Sequence, residues 1–231
     1  MLDNFKVEKV FEEGDTNSVY LTEEETVVKK FSRLSLVAVT ISTAFTFLGF
    51  PRFFTRRNRV SSVERIREYS FDSLKFPEIL SREGEKIREY RYVEGESLKQ
   101  KALTSEEAAE QVGRELAEIV DEVWERNVYL TDYFLENFIQ AEEGLYYVDA
   151  EYTGFTGGWQ PRFMDKVSAV HTLMFLPPNR FENAYNSFRE SFPGKISFKA
   201  LFFCSIVSLL YAVSLGSWSE FVNVWNNVRR L

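Results

Sequence analysis

Cysteine and histidine are almost missing from this chain, which has one cysteine, Cys204, and one histidine, His171, in 231 residues. One cysteine cannot form a disulfide within the chain, and one histidine cannot build a histidine-rich metal site. Zinc chemistry and a serine-histidine triad are therefore nearly excluded. Any bound metal ion would have to be held by oxygen ligands.

Basic residues are fewer than acidic ones, which gives a net charge of −7 at pH 7. Proteins that bind nucleic acid in general carry a basic face, so we expect no nucleic-acid partner. The N-terminus is polar and charged from Asp3 onward, and this does not fit a signal peptide. The charge is uneven, because one stretch holds six arginines and one acid, Glu64: Arg52, Arg56, Arg57, Arg59, Arg65 and Arg67.

Strand patterns come first along the chain. Residues 5–31 alternate apolar and polar side chains around short turns, which predicts a small antiparallel sheet. The stretch 85–98 reads as a further strand that Gly95 interrupts. These segments predict a sheet-rich N-terminal lobe over residues 1–95.

Helix patterns dominate the rest of the chain. A first amphipathic helix is predicted over 63–74, with Ser61 or Ser62 as its N-cap. Thr104 and Glu107 form a capping-box pattern ahead of a long helix. The later residues are mostly helical by pattern, so we predict an α+β protein whose helical C-terminal lobe covers 96–231.

Three polar residues interrupt an apolar region in the second half of the chain. The segment "YLTDYFLENFI" contains Asp132 and Asn137, and "YYVDAEY" contains Asp149. A turn followed by a strand would explain them without any function. The alternative is a metal and phosphate site, since carboxylate and amide oxygens are ligands that Mg²⁺ accepts.

A lysine in the strand pattern "TVVKKF" also needs an explanation. Successive side chains of a strand point to opposite faces, so one of its two lysines points inward. An inward Lys29 needs an anionic partner, for which Glu64 is the first candidate and Glu68 the alternative. Two solvated lysines on an edge strand remain a second interpretation.

The turn in "EEGDTNSVYL" is a weaker signal. Gly14 lies five residues before Val19, where a hairpin that covers a nucleotide places a glycine so that the backbone can approach phosphate oxygens. Asn17 occupies a position where such hairpins have a further glycine. A plain hairpin turn explains the same residues.

In sequence order, these parts resemble the protein-kinase-like superfamily. The spacing D-x-x-x-x-N at Asp132 and Asn137, followed by an apolar strand and Asp149, is similar to its catalytic loop and metal-binding aspartate. "DYFLENFI" resembles the lipopolysaccharide-core (Kdo and heptose) kinases, and "EYRYVEGESL" resembles the hinge of that group and of RIO-like kinases. "GDTN" and "VDAEY" are similar to segments of choline and aminoglycoside phosphotransferases. "PRFMDKVSAV" resembles a helix that braces the catalytic loop through Asp165.

This resemblance implies a bilobal fold with an apolar insertion at 33–60 between the lysine strand and the first helix. It also implies ATP and Mg²⁺ as ligands. Lys29, oriented by Glu64, would hold the α and β phosphates under a hairpin formed by Gly14, Asn17 and Val19. Asn137 and Asp149 would hold Mg²⁺, and Asp132 would take the proton of the attacking hydroxyl.

The chain also departs from the family pattern. Leu130 stands where these families usually have histidine, and Ala150 with Glu151 follows Asp149 in place of Phe-Gly. There is no Ala-Pro-Glu motif, so regulation through an activation loop is not expected. A catalytically silent module remains one of the interpretations.

Two uncharged runs approach the length that spans a bilayer, residues 34–51 and 200–219. A single crossing at 34–51 would separate Lys29 from Glu64, so this run either lies in the membrane interface or is an insertion packed on the protein itself. The arginines that follow favour the first, and we expect contact with the membrane surface through residues 34–60. The second run is either a core helix or a further contact. We predict a protein at the cytoplasmic face of a membrane, or otherwise in the cytoplasm.

Three functions follow from these observations. The first is a Mg-ATP-dependent kinase that phosphorylates a hydroxyl of a lipid-linked sugar or another membrane-borne acceptor. The second is an atypical serine/threonine protein kinase. The third is a kinase-like pseudoenzyme that binds a partner.

Overall fold

A computed structural model provides the coordinates. It describes the following residues: 7–13, 17–31, 63–83, 87–130, 132–150, 153–155, 159–192, 194–214 and 217–231. The predicted turn at Gly14, the caps Ser61 and Ser62 and the whole segment 33–60 lie outside these residues.

An antiparallel sheet forms the N-terminal part, as the alternating pattern predicts. Its five strands are β1 (Val7–Glu13), β2 (Asn17–Thr22), β3 (Thr26–Phe31), β4 (Ile79–Glu83) and β5 (Ile87–Arg91), in the order β1-β2-β3-β5-β4. Strand β3, with its two lysines, is therefore central rather than at an edge. Val28 in this strand is completely buried.

The helix predicted over 63–74 is largely wrong, because only residues 63–66 are helical. Val63 and Ile66 are buried on one side of this turn. The backbone beyond it bonds to the C-terminal part: Ser73 N donates to a Glu122 carboxylate oxygen at 3.1 Å, and Lys75 N donates to Leu145 O at 2.8 Å. Backbone groups engaged in this way are not available for a helical ladder.

The C-terminal part begins with a small sheet and two capped helices. Its elements are β6 (Glu96–Ser97), α1 (Leu98–Thr104), α2 (Glu106–Glu125), β7 (Phe138–Ala141) and β8 (Gly144–Tyr147), and β6, β7 and β8 form a three-stranded sheet. The predicted capping box at Thr104 is wrong by one residue. Thr104 ends α1 and donates its hydroxyl to Lys101 O at 2.8 Å, so Ser105 caps α2 by accepting from Ala108 N at 3.0 Å.

Four more helices follow in the part of the chain that the structure describes: α3 (Trp159–Leu173), α4 (Pro178–Ser191), α5 (Phe198–Ser214) and α6 (Trp218–Val228). Helix α2 is at the centre of the core and packs closely on α4. A Cβ atom at Gly113 of α2 would lie 2.1 Å from Ala184 O of α4, so this crossing requires glycine. The core also takes in Leu116, Val120 and Phe181.

The uncharged run at 200–219 covers most of α5 and the start of α6. One side of α5 is core, with Ala200, Cys204 and Ser208 buried, while Phe202 and Ile206 are exposed. Among the residues that the structure describes, no helix combines the length and apolar character needed to cross a bilayer.

Candidate active site

Lys29 is the inward-pointing lysine of β3. It is only 9% exposed, and its Nζ donates to Val148 O and to Asp149 Oδ1, both at 2.9 Å. The Nζ atom also lies 5.8 Å from the centre of the Tyr90 ring. A buried ammonium group is stable only when it is paired, and here Asp149 supplies the charge.

Glu64, the predicted partner of Lys29, lies on the exposed side of the helical turn 63–66, and Glu68 is exposed as well. The structure thus shows the lysine paired with the predicted metal ligand. The role of Glu64 in orienting Lys29 stays a prediction.

Val19 shares a face of the sheet with Lys29, because the two residues are register partners in β2 and β3. Two residues before Lys29 in β3, Val27 is the register partner of Tyr90 in β5. Val27 therefore lies on the same strand face as Lys29, as the alternation of side chains along "TVVKKF" predicts. Asn17 begins β2, while Gly14 lies outside the described residues.

The segment with Asp132 lies between α2 and β7, and backbone hydrogen bonds anchor it near its start. Tyr129 N donates to Gly154 O at 3.1 Å, and Gly154 N returns a bond to Tyr129 O at 2.8 Å. The neighbouring Leu130 is fully buried in the core. The position where the families that the sequence resembles usually have histidine is therefore held here by apolar packing.

Helix α3 supports the same segment through two hydroxyl groups, and a third polar residue of α3 bonds to α2. Ser168 Oγ accepts from Tyr133 N at 3.1 Å, and Thr172 Oγ1 accepts from Leu135 N at 2.9 Å. Asp165, which is fully buried, accepts from Trp124 Nε1 at 2.9 Å. Asp165, Ser168 and Thr172 follow one helix face at spacings of three and four, a signal that the sequence contained.

Tyr133 follows Asp132 directly in the chain, and its backbone N–H is the one that donates to Ser168. Burial, and after it the nearby Asp165 carboxylate, raises the pKa of the Tyr133 hydroxyl well above its usual value. The ring stacks on Phe138 at a centroid distance of 6.2 Å. Tyr147 from β8 donates its hydroxyl to Asp132 O at 2.8 Å, so the backbone at Asp132 is held from both directions.

Asp132 has the electrostatics of a proton acceptor near neutral pH. Burial is the main cause that raises its pKa from 3.8 to about 7, and the negative charge of Asp149 is the second. The N–H of Phe134 and the charge of Lys29 act in the opposite direction. Active sites commonly shift carboxyl groups in this way, because proton transfer is most efficient when the pKa lies near the working pH.

Asp132, Asn137 and Asp149 line one cavity of about 460 Å³. Asn137 ends a 3-10 turn, and its backbone carbonyl accepts from Val148 N at 2.9 Å. This bond holds Asn137 beside the residue that precedes Asp149, the other predicted metal ligand. Among the described residues there is no cluster of three or more His, Cys, Asp or Glu that could hold a metal alone. Two oxygen ligands nonetheless fit Mg²⁺, which usually takes one or two carboxylates together with substrate phosphates and water.

No protein-family model matches this chain, and no curated protein matches it. Among solved structures it is similar to the ternary complex of APH(2")-IIa with streptomycin and ATP. That similarity has a TM-score of 0.56 at 11% identity, over 99% of this chain and 93% of that one. The PknI kinase domain of Mycobacterium tuberculosis has a TM-score of 0.49 at 14% identity, over 77% of this chain and 74% of that one.

The fold is therefore the protein-kinase-like bilobal α+β fold, with an antiparallel N-terminal sheet and a helical C-terminal lobe. Identities this low show a shared fold alone. The roles of individual residues have to be argued from the geometry of this chain.

Proposed function

We propose that this protein is a Mg-ATP-dependent kinase that transfers the γ-phosphate of ATP to a hydroxyl group. The observation that carries the proposal is one cavity that holds Asp132, with its pKa raised to about 7, beside Asp149 and its ion pair with Lys29. The fold shared with APH(2")-IIa, which was solved with ATP, supports a nucleotide as the donor.

Each residue then has a distinct task. Lys29 binds phosphate oxygens, with Glu64 as its orienting partner, and the nucleotide-covering hairpin predicted for Gly14, Asn17 and Val19 would lie over the phosphates. Asn137 and Asp149 supply oxygen ligands for Mg²⁺, which neutralises charge on the phosphates.

Asp132 accepts the proton of the acceptor hydroxyl. As the new bond between the acceptor oxygen and phosphorus forms, the bond from that phosphorus to the leaving oxygen of ADP breaks. The proton stays on the Asp132 carboxyl group, so the step is balanced without a further reactant.

The acceptor that we propose is a lipid-linked sugar or another membrane-borne alcohol. Incubation with radiolabelled ATP, Mg²⁺ and either a lipid extract or a set of protein acceptors tests this directly. We expect label in the lipid extract. Label in protein alone would indicate an atypical serine/threonine kinase, and no label together with no Mg-ATP binding by calorimetry would indicate a silent module.

An exposed apolar face supports work at a membrane surface. We define the outer face as Phe198, Phe202 and Ile206 of α5 with Trp218, Val222 and Trp225 of α6, where Phe198 is 82% and Trp218 is 75% exposed. The residues are spaced by four and four along α5 and by four and three along α6, so each helix has one continuous stripe. Lys195 and Lys199 are exposed beside the α5 stripe, and aromatic rings with lysines favour an anionic lipid surface.

Binding to lipid vesicles tests this face. We expect the protein to sediment with vesicles that contain phosphatidylglycerol, and less so at high salt, because exposed charges are screened. The double variant Phe198→Ser, Trp218→Ser should bind at least about tenfold more weakly, since two large apolar side chains no longer enter the interface. Leu103→Ser on α1, also an exposed apolar residue, is the matched control and should bind as the parent does. Equal binding by the double variant would contradict the assignment.

A further inference from the structure

Two cations of α3, Arg162 and Lys166, share one aromatic ring. The Arg162 Cζ atom and the Lys166 Nζ atom each lie 5.5 Å from the centre of the Trp124 ring of α2. Neither cation lines the cavity that contains Asp132. The kinase function proposed above therefore gives this pair of charges no task.

No acidic side chain balances the pair in the part of the chain that the structure describes. Neither Arg162 nor Lys166 forms a salt bridge there. Asp165 precedes Lys166 in the chain, but it is fully buried and accepts from Trp124 Nε1 at 2.9 Å. Burial, and after it the charge of Arg162, lowers the pKa of the Lys166 ammonium group below its usual value. The two cations thus repel each other across a short distance.

Both cations keep hydrogen-bond donors for a further partner. Lys166 is half-buried; its Nζ donates to Lys195 O at 3.3 Å and lies 5.3 Å from the centre of the Phe192 ring. An ammonium group has three N–H donors, so this bond leaves two of them. Arg162 is exposed and contacts the Trp124 ring, and a guanidinium group has five N–H donors.

A phosphate monoester suits this arrangement better than a carboxylate does. It carries a charge of about −1.5 to −2 at pH 7 and three acceptor oxygens, so it can neutralise two cations at once. The guanidinium fork of Arg162 can bind two of these oxygens, and the Lys166 ammonium group can bind the third. Such an ion would also remove the repulsion between the two side chains.

The surroundings of the pair indicate a lipid headgroup as the source of the phosphate. Lys195, whose carbonyl accepts from Lys166, is itself exposed and precedes Phe198 of the outer face by three residues. Residues 191–219 contain two lysines and no acidic residue. A headgroup held by Arg162 and Lys166 would therefore lie next to the apolar side chains proposed to enter the lipid.

We propose that Arg162 and Lys166 bind a phosphate monoester, and that a lipid headgroup of the phosphatidic acid type supplies it. This inference goes beyond the transfer reaction, but its lipid source rests on the membrane contact proposed for the outer face. The site would fix the orientation of the protein on the membrane, because the headgroup is held at one side of the apolar stripe.

Vesicles of matched charge test the headgroup site. Sedimentation compares vesicles that contain phosphatidic acid with vesicles that contain twice as much phosphatidylglycerol, so that both surfaces carry about the same charge. We expect the parent protein to bind the phosphatidic acid vesicles about tenfold more tightly, since the monoester accepts additional charged hydrogen bonds. Arg162→Gln and Lys166→Gln, separately and together, should remove this preference. Unchanged Mg-ATP binding by calorimetry would show that the variants are folded.

Arg114→Gln is the matched control for each single variant. It removes one exposed cation from α2, ten residues and about 15 Å before Trp124, and it should keep the preference. Glycerol 3-phosphate, titrated by calorimetry, tests a soluble source. The titration uses the Lys29→Met protein, so that the proposed phosphate-binding lysine of the active site does not contribute. We expect weak binding that Arg162→Gln abolishes.

The outcomes separate the site from its source. A preference for phosphatidic acid that survives the double variant would overturn the roles of Arg162 and Lys166, as would equal binding of both vesicle types without binding of glycerol 3-phosphate. Equal vesicle binding with an Arg162-dependent affinity for glycerol 3-phosphate would overturn the lipid source and support the phosphate site. Failure of the parent to bind any vesicle would overturn the proposed membrane contact, and the soluble titration would still decide the site.

Discussion

Replacement of Asp132 by asparagine is expected to lower the rate of phosphoryl transfer by about 10²–10⁴-fold while Mg-ATP still binds. Asparagine keeps the shape of the side chain but cannot accept the hydroxyl proton. Turnover measured with radiolabelled ATP, beside calorimetry of Mg-ATP binding, separates the two effects. Full turnover by the Asp132→Asn protein would rule out this residue as the proton acceptor.

The pH profile provides a second test of the same residue. Because the pKa of Asp132 is raised to about 7, the carboxylate is protonated and inactive below that pH. We expect kcat/KM of the parent protein to fall about tenfold per pH unit below this value and to level off above it. The residual activity of the Asp132→Asn variant should lack this acidic limb.

The free energy of unfolding, measured at two pH values, shows whether the Asp132→Asn variant still folds. A carboxyl group whose folded pKa lies above its unfolded pKa destabilises the fold as the pH rises through the folded value, about 7. Asp132→Asn should therefore raise the free energy of unfolding more at pH 8 than at pH 4. Asp121→Asn on α2, which does not line the cavity, should change neither turnover nor this pH dependence.

Replacement of Asp149 by asparagine is expected to weaken Mg-ATP binding by at least about tenfold and to abolish transfer. The variant keeps a hydrogen-bond acceptor for Lys29 but loses the charge that binds the metal. Calorimetry with ATP at increasing Mg²⁺ concentration measures the effect. We also expect the free energy of unfolding to fall by about 1–3 kcal/mol, since a charged hydrogen bond to a buried lysine becomes a neutral one.

Lys29→Met is the companion variant that distinguishes the metal from the phosphates. It should weaken ATP binding whether or not Mg²⁺ is present, whereas Asp149→Asn should act mainly through the Mg²⁺ dependence. Wild-type affinity and wild-type Mg²⁺ dependence in the Asp149→Asn protein would remove Asp149 from the metal site. The cavity would then need another explanation.

Local patterns predicted much of the fold because they depend on near neighbours in the chain. Alternation in residues 5–31 predicts β1 to β3, and the apolar stripe after residue 104 predicts α2. Errors arose where distant groups compete for the backbone. The carboxylate of Glu122 accepts from the N–H of Ser73, within the stretch predicted as a helix over 63–74, and this contact across 49 residues is one that no local pattern shows.

For the candidate site, the order and types of the polar residues were already present in the sequence. Asp132, Asn137 and Asp149 were singled out because each interrupts an apolar segment, and Lys29 because one lysine of a strand must face inward. Their mutual distances were not predictable. Lys29 and Asp149 are 120 residues apart, and their pairing at 2.9 Å follows from how the sheet meets the helical lobe.

The sequence by itself thus determined which side chains are at hand: one histidine, one cysteine, and carboxylate and amide groups whose spacing resembles that of the protein-kinase-like superfamily. The tertiary structure alone decided which charges meet and which stay buried. It raised the pKa of Asp132 through burial and the neighbouring Asp149, and it lowered the pKa of Lys166 through burial and the neighbouring Arg162. Both effects depend on the loss of water around a charge, and burial is a property of the packed molecule rather than of any short segment.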